Sequence, residues 1–260
     1  MTRATATPAA DVERPVSVGR RRRFFVVAAA LLLLIVFLGF APTFYLRGVI
    51  RDRAALPLPR YLYVHGAVMT AWHLLFLVQT MLVVSNRTSV HRRLGIIGGV
   101  LAIGVVGLGV YVTLNMVSRL TALGLTPSQL EQMHIEFIVI GNLFQLVAFG
   151  GLATAAIMLR ARPQAHRRLM FWAFVLTLGQ ALTSNRMLGE FLQSRLPPWL
   201  PALFLVPVIS LIALATHDWS TSRRVHPATL FGAVIFFLVL IATAVVATSA
   251  AGRAFVLRLG

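Results

Sequence analysis

Runs of about 20 apolar residues alternate along this chain with short polar connections rich in arginine, and the alternation recurs seven times. A helix rises about 1.5 Å per residue, so a run of that length crosses a hydrocarbon core of about 30 Å. The runs predict transmembrane helices at about 24–46, 61–84, 93–117, 127–160, 167–192, 199–216 and 229–249. The expected fold is all-α: a polytopic membrane protein with a single seven-helix domain over 24–249. A disordered basic tail is expected at 1–23 and a short C-terminal tail at 250–260.

Local signals refine two of these helices. Thr126-Pro127 reads as an N-cap followed by proline at the first helical position, so the fourth helix is expected to start outside the hydrocarbon. Beyond Ser184 the fifth is expected to continue as an amphipathic outer segment, with Met187, Leu188, Phe191 and Leu192 on one face and Arg186 paired with Glu190. Only Pro207 interrupts an apolar run.

The polar exceptions inside the runs carry the chemistry. Steps of three and four residues place His65, Met69, Trp72, Phe76 and Gln79 on one line of helix two, with His73 beside it. The same step on helix five joins His166, Met170, Ala173, Thr177, Gln180 and Ser184, and on helix four His134, Gly141 and Gln145, flanked by Asn142. Lipid cannot satisfy such groups, so they are expected to face the bundle interior as a polar seam. Helix three, with six glycines between 95 and 109, is the expected centre of their packing. The inner bundle is then helices two to five, with one, six and seven peripheral. His73 falls near the midplane, at a depth comparable with Gln145, its expected partner.

Charge and composition narrow the class. The net charge is +17, and all 24 basic residues are arginine. They gather between apolar runs, where anionic headgroups and the positive-inside bias account for them without nucleic acid. With the N-terminus inside, 15 arginines face the cytoplasm and nine the exterior, which places the C-terminus outside. Arg92, Arg93, Arg167 and Arg168, in the segments "HRRLG" and "HRRLM", are read as headgroup and topology anchors. Cysteine is absent, which removes disulfides, thiolate metal sites and cysteine nucleophiles. The seven acidic residues assemble no hydrolase site, and Glu131 with His134 is a weak metal pair. Any enzyme activity is expected to be redox, not hydrolytic.

Histidines paired at matching depth on two helices are the requirement for a b-type haem in a membrane bundle. His65 with His134 belongs to the outer half, and His91 with His166 to the inner ends of helices three and five. This two-with-four and three-with-five pattern resembles the cytochrome b561 family, which implies haem binding and transmembrane electron transfer. His73, by its midplane depth alone, is a further candidate as haem ligand, proton relay or substrate contact. His134, however, lies about six residues farther out than His65, roughly 9 Å along a helix. The segment from Tyr63 to Val83, "HRRLG", "HRRLM" and "VHPATLFG" at 225–232 together resemble a family of bacterial inner-membrane proteins of unassigned activity. That likeness implies signature positions at His65, His73, Gln79, His91, Arg92, Arg93, His166, Arg167, Arg168, His226 and Pro227, and no reaction. Two other expectations stand beside electron transfer: a binding or transport module built on the seam, or an assembly subunit whose seam locks helices together for a membrane or redox partner.

Overall fold

A computed structural model describes residues 18–50, 58–196 and 204–260, and among them every regular element is helical. Five segments are long and apolar enough to cross a membrane: Arg23–Tyr45, Arg60–Val84, Thr88–Leu114, Ile135–Met158 and Pro227–Thr248. In chain order the helices are α1 (Val18–Phe40), α2 (Arg47–Ile50), α3 (Arg60–Val84), α4 (Thr88–Leu114), α5 (Met116–Ala122), α6 (Pro127–Gln132) and α7 (Ile135–Met158). They continue as α8 (Pro163–Leu176), α9 (Gly179–Ser184), α10 (Arg186–Ser194), α11 (Leu205–Ser222), α12 (Pro227–Thr248) and α13 (Ala250–Leu257). One π-helical turn, Ala41–Tyr45, follows α1. Of the expected N-terminal tail, 1–17 lies outside the described residues, whereas 18–23 already belongs to α1. The expected C-terminal tail is helical as well: Ser249 caps α13, which packs on α7.

Two of the expected long helices are broken. Thr126 forms a full capping box with Gln129, with Pro127 in the first turn, as its sequence requires. That helix nevertheless stops at Gln132, His134 takes a left-handed conformation (φ 51°), and α7 starts afresh at Ile135. The second break divides 167–192 into α8, α9 and α10. At Thr177 and Leu178 the amides bond three residues back, to Phe174 O at 3.0 Å and Val175 O at 3.1 Å, which tightens the chain into a 3₁₀-like turn. The Thr177 hydroxyl donates to the same Phe174 carbonyl at 2.7 Å, competing with the helical ladder. Asn185 then caps α10 by accepting from Leu188 N. On α10, Leu188 and Leu192 pack toward the core while Met187 and Phe191 are exposed. The expected Arg186–Glu190 pair involves a side chain outside the described residues.

The centre of the bundle is α8, which corrects the expectation that helix three would be. From Phe171 to Leu176 every residue of α8 is buried, with Trp172, Ala173, Phe174 and Leu176 fully enclosed. α1, α7, α11 and α12 pack against it, and α3 reaches it through His73 and Phe76, whose rings meet Phe174. α1, expected at the lipid, also packs on α3 and α9, and Gly39 lies against the Ala181 backbone so closely that a Cβ would fall 2.2 Å from its carbonyl oxygen. α12 is equally part of the core, with Gly232 seated against the Trp172 indole. The glycine-rich α4 is peripheral on one face: Ile96, Val100 and Ile103 are exposed, and Gly99 and Gly107 have no neighbour within 4 Å where a Cβ would stand.

Candidate functional site

The polar residues expected to form one seam divide between the two ends of the bundle. Toward the end remote from the HRRL segments, α3, α4, α7, α8 and α9 line a partly open cavity of about 90 Å³ whose polar lining includes His65, Asn142, Gln145, Thr177 and Gln180. The break between α8 and α9 turns Thr177 and Gln180 into this space. Gln180 Nε2 donates to Asn142 Oδ1 and, at 3.1 Å, to Gln145 Oε1, so three amides from two helices form one network. Both protons of the Gln180 amide are thereby used, leaving the NH₂ groups of Asn142 and Gln145 as further donors. Gly179 permits the approach, since a Cβ there would lie 3.3 Å from Gln145 Nε2. His65 Nδ1 is buried without a hydrogen-bond partner among the described residues. The rest of the wall is apolar, from Met69, Val105, Leu146, Phe149 and Leu176. Ser184 closes α9 and is not part of the lining.

His73 adjoins this cavity through Thr177, not through the expected Gln145. It is 1% exposed, its ring edge meets Phe174 at 4.7 Å, and its Nε2 lies 2.9 Å from Thr177 Oγ1. The single hydroxyl proton of Thr177 already goes to Phe174 O, so the histidine nitrogen must be the donor and the ring is the Nε2–H tautomer. Gln145 belongs instead to the amide network.

At the HRRL end, Gln79 Nε2 donates to the carbonyl of His91 at 3.2 Å, and the His91 and His166 rings stand 6.3 Å apart at 89°. His166 Nδ1 donates to Ala156 O at 2.8 Å. The aromatic pair Phe76–Phe174 lies between this group and His73 along α3 and α8. His134 meets neither centre: it is exposed at the start of α7, with its ring against Phe137, and does not line the cavity of His65. The reason is the chain break at that residue, which a continuous helical count cannot register.

The same end holds a cluster that sequence reasoning missed. Arg168, expected at lipid headgroups, is 2% exposed, and Asp218, expected in a loop, is fully buried in the last turn of α11. Arg168 Nε donates to both carboxylate oxygens at 3.0 and 3.2 Å, Nη2 also reaches Oδ1, and Nη1 donates to Gln164 O and Oε1. Thr229 Oγ1 and the His226 amide donate to Asp218 Oδ2 at 2.6 and 3.0 Å. His226 Nδ1 in turn accepts from Ala228 N and, with Pro227, starts α12. Burial pushes the Asp218 carboxyl up, but the hydrogen bonds from Arg168, Thr229 and His226 outweigh it and hold its pKa below the usual range. Burial first, then the Arg168 charge, lower the pKa of His226. Arg167 lies over the Phe25 ring at 4.8 Å, and His217 stacks on Phe24 at 4.3 Å, so α1 is tied to the same cluster. Of the four arginines of the two motifs, Arg92 and Arg93 are exposed. The signal for this cluster was present in "VHPAT", a polar motif at the start of an apolar helix, and in Asp218, an acid beside the basic end of the chain's other helices.

Comparison with protein-family models, with curated proteins and with solved structures finds no match to this chain.

Proposed function

We propose that this chain is a seven-span protein of the bacterial inner membrane, N-terminus in the cytoplasm, that binds and passes a small neutral polar solute at the break between α8 and α9. α8–α9 and α11 supply the two further crossings beyond the five long apolar helices. The reading rests on one observation: a helix interrupted inside the apolar bundle, at the cavity where the side chains of Asn142, Gln145, Thr177 and Gln180 gather. Irregular backbone at membrane depth is tolerated where it lines a cavity, and discontinuous helices mark the substrate sites of many transporters. About 90 Å³ holds roughly three waters at about 30 Å³ each, or one solute of urea or glycerol size. Among the described residues no carboxylate or arginine lines it, which favours a neutral occupant.

Stopped-flow light scattering of proteoliposomes under urea and glycerol gradients tests the reading. Solute entry is expected to exceed that of protein-free vesicles and to fall in Gln145→Leu and Gln180→Leu. Entry equal to empty vesicles, together with no thermal stabilisation of the purified protein by either solute, contradicts it.

A further inference from the structure

We propose that His91, His166 and Gln79 form a binding site for one late first-row transition-metal ion, copper(I) ahead of zinc(II), at the HRRL end of the bundle. The site is separate from the solute cavity and does not depend on it.

The donor chemistry carries the argument. His166 gives its Nδ1 proton to Ala156 O at 2.8 Å, which fixes the tautomer and leaves Nε2 as a lone-pair donor. A backbone carbonyl on the remote nitrogen is the usual support of a metal-binding imidazole. His91 Nδ1 and Gln79 Oε1 are both buried and both lack a hydrogen-bond partner. Gln79 Oε1 is an acceptor by its chemistry, and in its Nε2–H tautomer His91 presents Nδ1 as a second lone pair beside that of His166, a set that suits an electron-poor centre. Gln79 is held in place because its Nε2 donates to the His91 carbonyl at 3.2 Å, and it lies 3.9 Å from where a Gly95 Cβ would stand. The ring centroids are 6.3 Å apart. A separation of that size has room for two metal–nitrogen bonds of about 2.0–2.1 Å together with the near half of each ring.

The surroundings select the ion. Imidazole suits copper, zinc, iron and nickel, whereas magnesium and calcium require oxygen ligands. All three donors are neutral, and Arg92, Arg93 and Arg167 follow the two histidines in sequence. Among the described residues Asp218 pairs with Arg168, and no carboxylate pairs with Arg92, Arg93 or Arg167. A basic neighbourhood opposes a divalent ion more than a monovalent one, and two-nitrogen coordination with a weak third oxygen suits copper(I).

The test uses full-length protein without a histidine tag, loaded separately with copper(I) under reductant and with zinc(II), desalted and analysed for metal. About one ion per chain is expected, with affinity lowered at least about tenfold in His91→Leu and in His166→Asn and unchanged in His134→Ala. His166→Asn is chosen because its amide can still donate to Ala156 O while lacking the ligand nitrogen, so folding is preserved; Gln79→Leu, expected to weaken binding less, provides a second variant. Wild-type protein that retains no metal overturns the proposal, as does binding unaffected by His91→Leu and His166→Asn. A haem absorption band in the purified protein that vanishes in His166→Asn also overturns it, because the pair would then hold haem iron. Loss of solute entry through the other cavity leaves this result untouched.

Discussion

Asp218 shows how much one side chain decides here. It joins α8, α11 and the start of α12 through Arg168, Thr229 and the His226 amide, in a region from which water is excluded. Removing one partner of a buried ion pair strands the other charge, so Arg168→Ala and Asp218→Ala are each expected to cost about 3–5 kcal/mol. Arg168→Met with Asp218→Leu should cost less than the sum, as thermal or denaturant unfolding in detergent would show. Acid should act in two stages on the wild type. The depressed pKa of His226 means its contribution is complete above about pH 6.5 and lost as pH falls through its folded value. The depressed pKa of Asp218 means its contribution is complete above about pH 3.9 and lost only below that. Asp218→Asn should remove the lower stage and, by withdrawing the carboxylate that offsets the arginines around His226, move the upper stage to lower pH; a pH-independent melting temperature of the wild type between 7 and 3 contradicts the assignment. Individual residues were only partly legible in the sequence. Periodicity puts Asn142, Gln145, Thr177 and Gln180 on inward faces and the structure places all four on one cavity, but their partners depend on helix rotation: His73 meets Thr177, and Gln145 meets Gln180. Arg168 and Arg93 look alike in a motif, and only tertiary packing separates the buried one from the exposed one.

At the scale of elements, the apolar runs predicted α3, α4 and α12 to within a few residues, because hydrocarbon thickness sets helix length. The breaks at His134 and Thr177 were not legible. Neither carries proline, and each arises from a local competition for backbone bonds that an apolar run hides. Thr177 and Gly179, two residues apart, are the only sequence trace of the second. Packing also escaped prediction, since a face turned to lipid and a face turned to a neighbouring helix are equally apolar. Six glycines therefore made α4 look central, whereas of these Gly109 alone would bring a Cβ closer than 3 Å to a neighbour, the Leu146 side chain, and the tight contacts around α8 and α9 belong to Gly39 and Gly232. A Cβ on Gly232 would lie 2.1 Å from the fully buried Trp172 ring. Gly232→Ala is thus expected to destabilise by about 1–3 kcal/mol, while Gly107→Ala, with open space, should be neutral or stabilising by up to about 1 kcal/mol. Melting temperatures of the two variants in one detergent decide between this packing and one centred on α4.

The whole molecule is a set of helices around α8, with a polar cavity toward one end, an imidazole pair and a buried ion pair at the other, and Phe76 with Phe174 between. The segregation matters for function because it sets one solute-sized polar pocket within an apolar bundle, apart from the charged cluster. The account stands on the amides of α7 and α9 meeting inside the protein. Magic-angle-spinning NMR of the protein in bilayers, with ¹⁵N in glutamine side chains and ¹³C in asparagine side-chain carbonyls, reads that contact directly. A nitrogen–carbon transfer signal that disappears in Gln180→Leu is the predicted result; its absence from the wild type, or its persistence in the variant, would contradict the site.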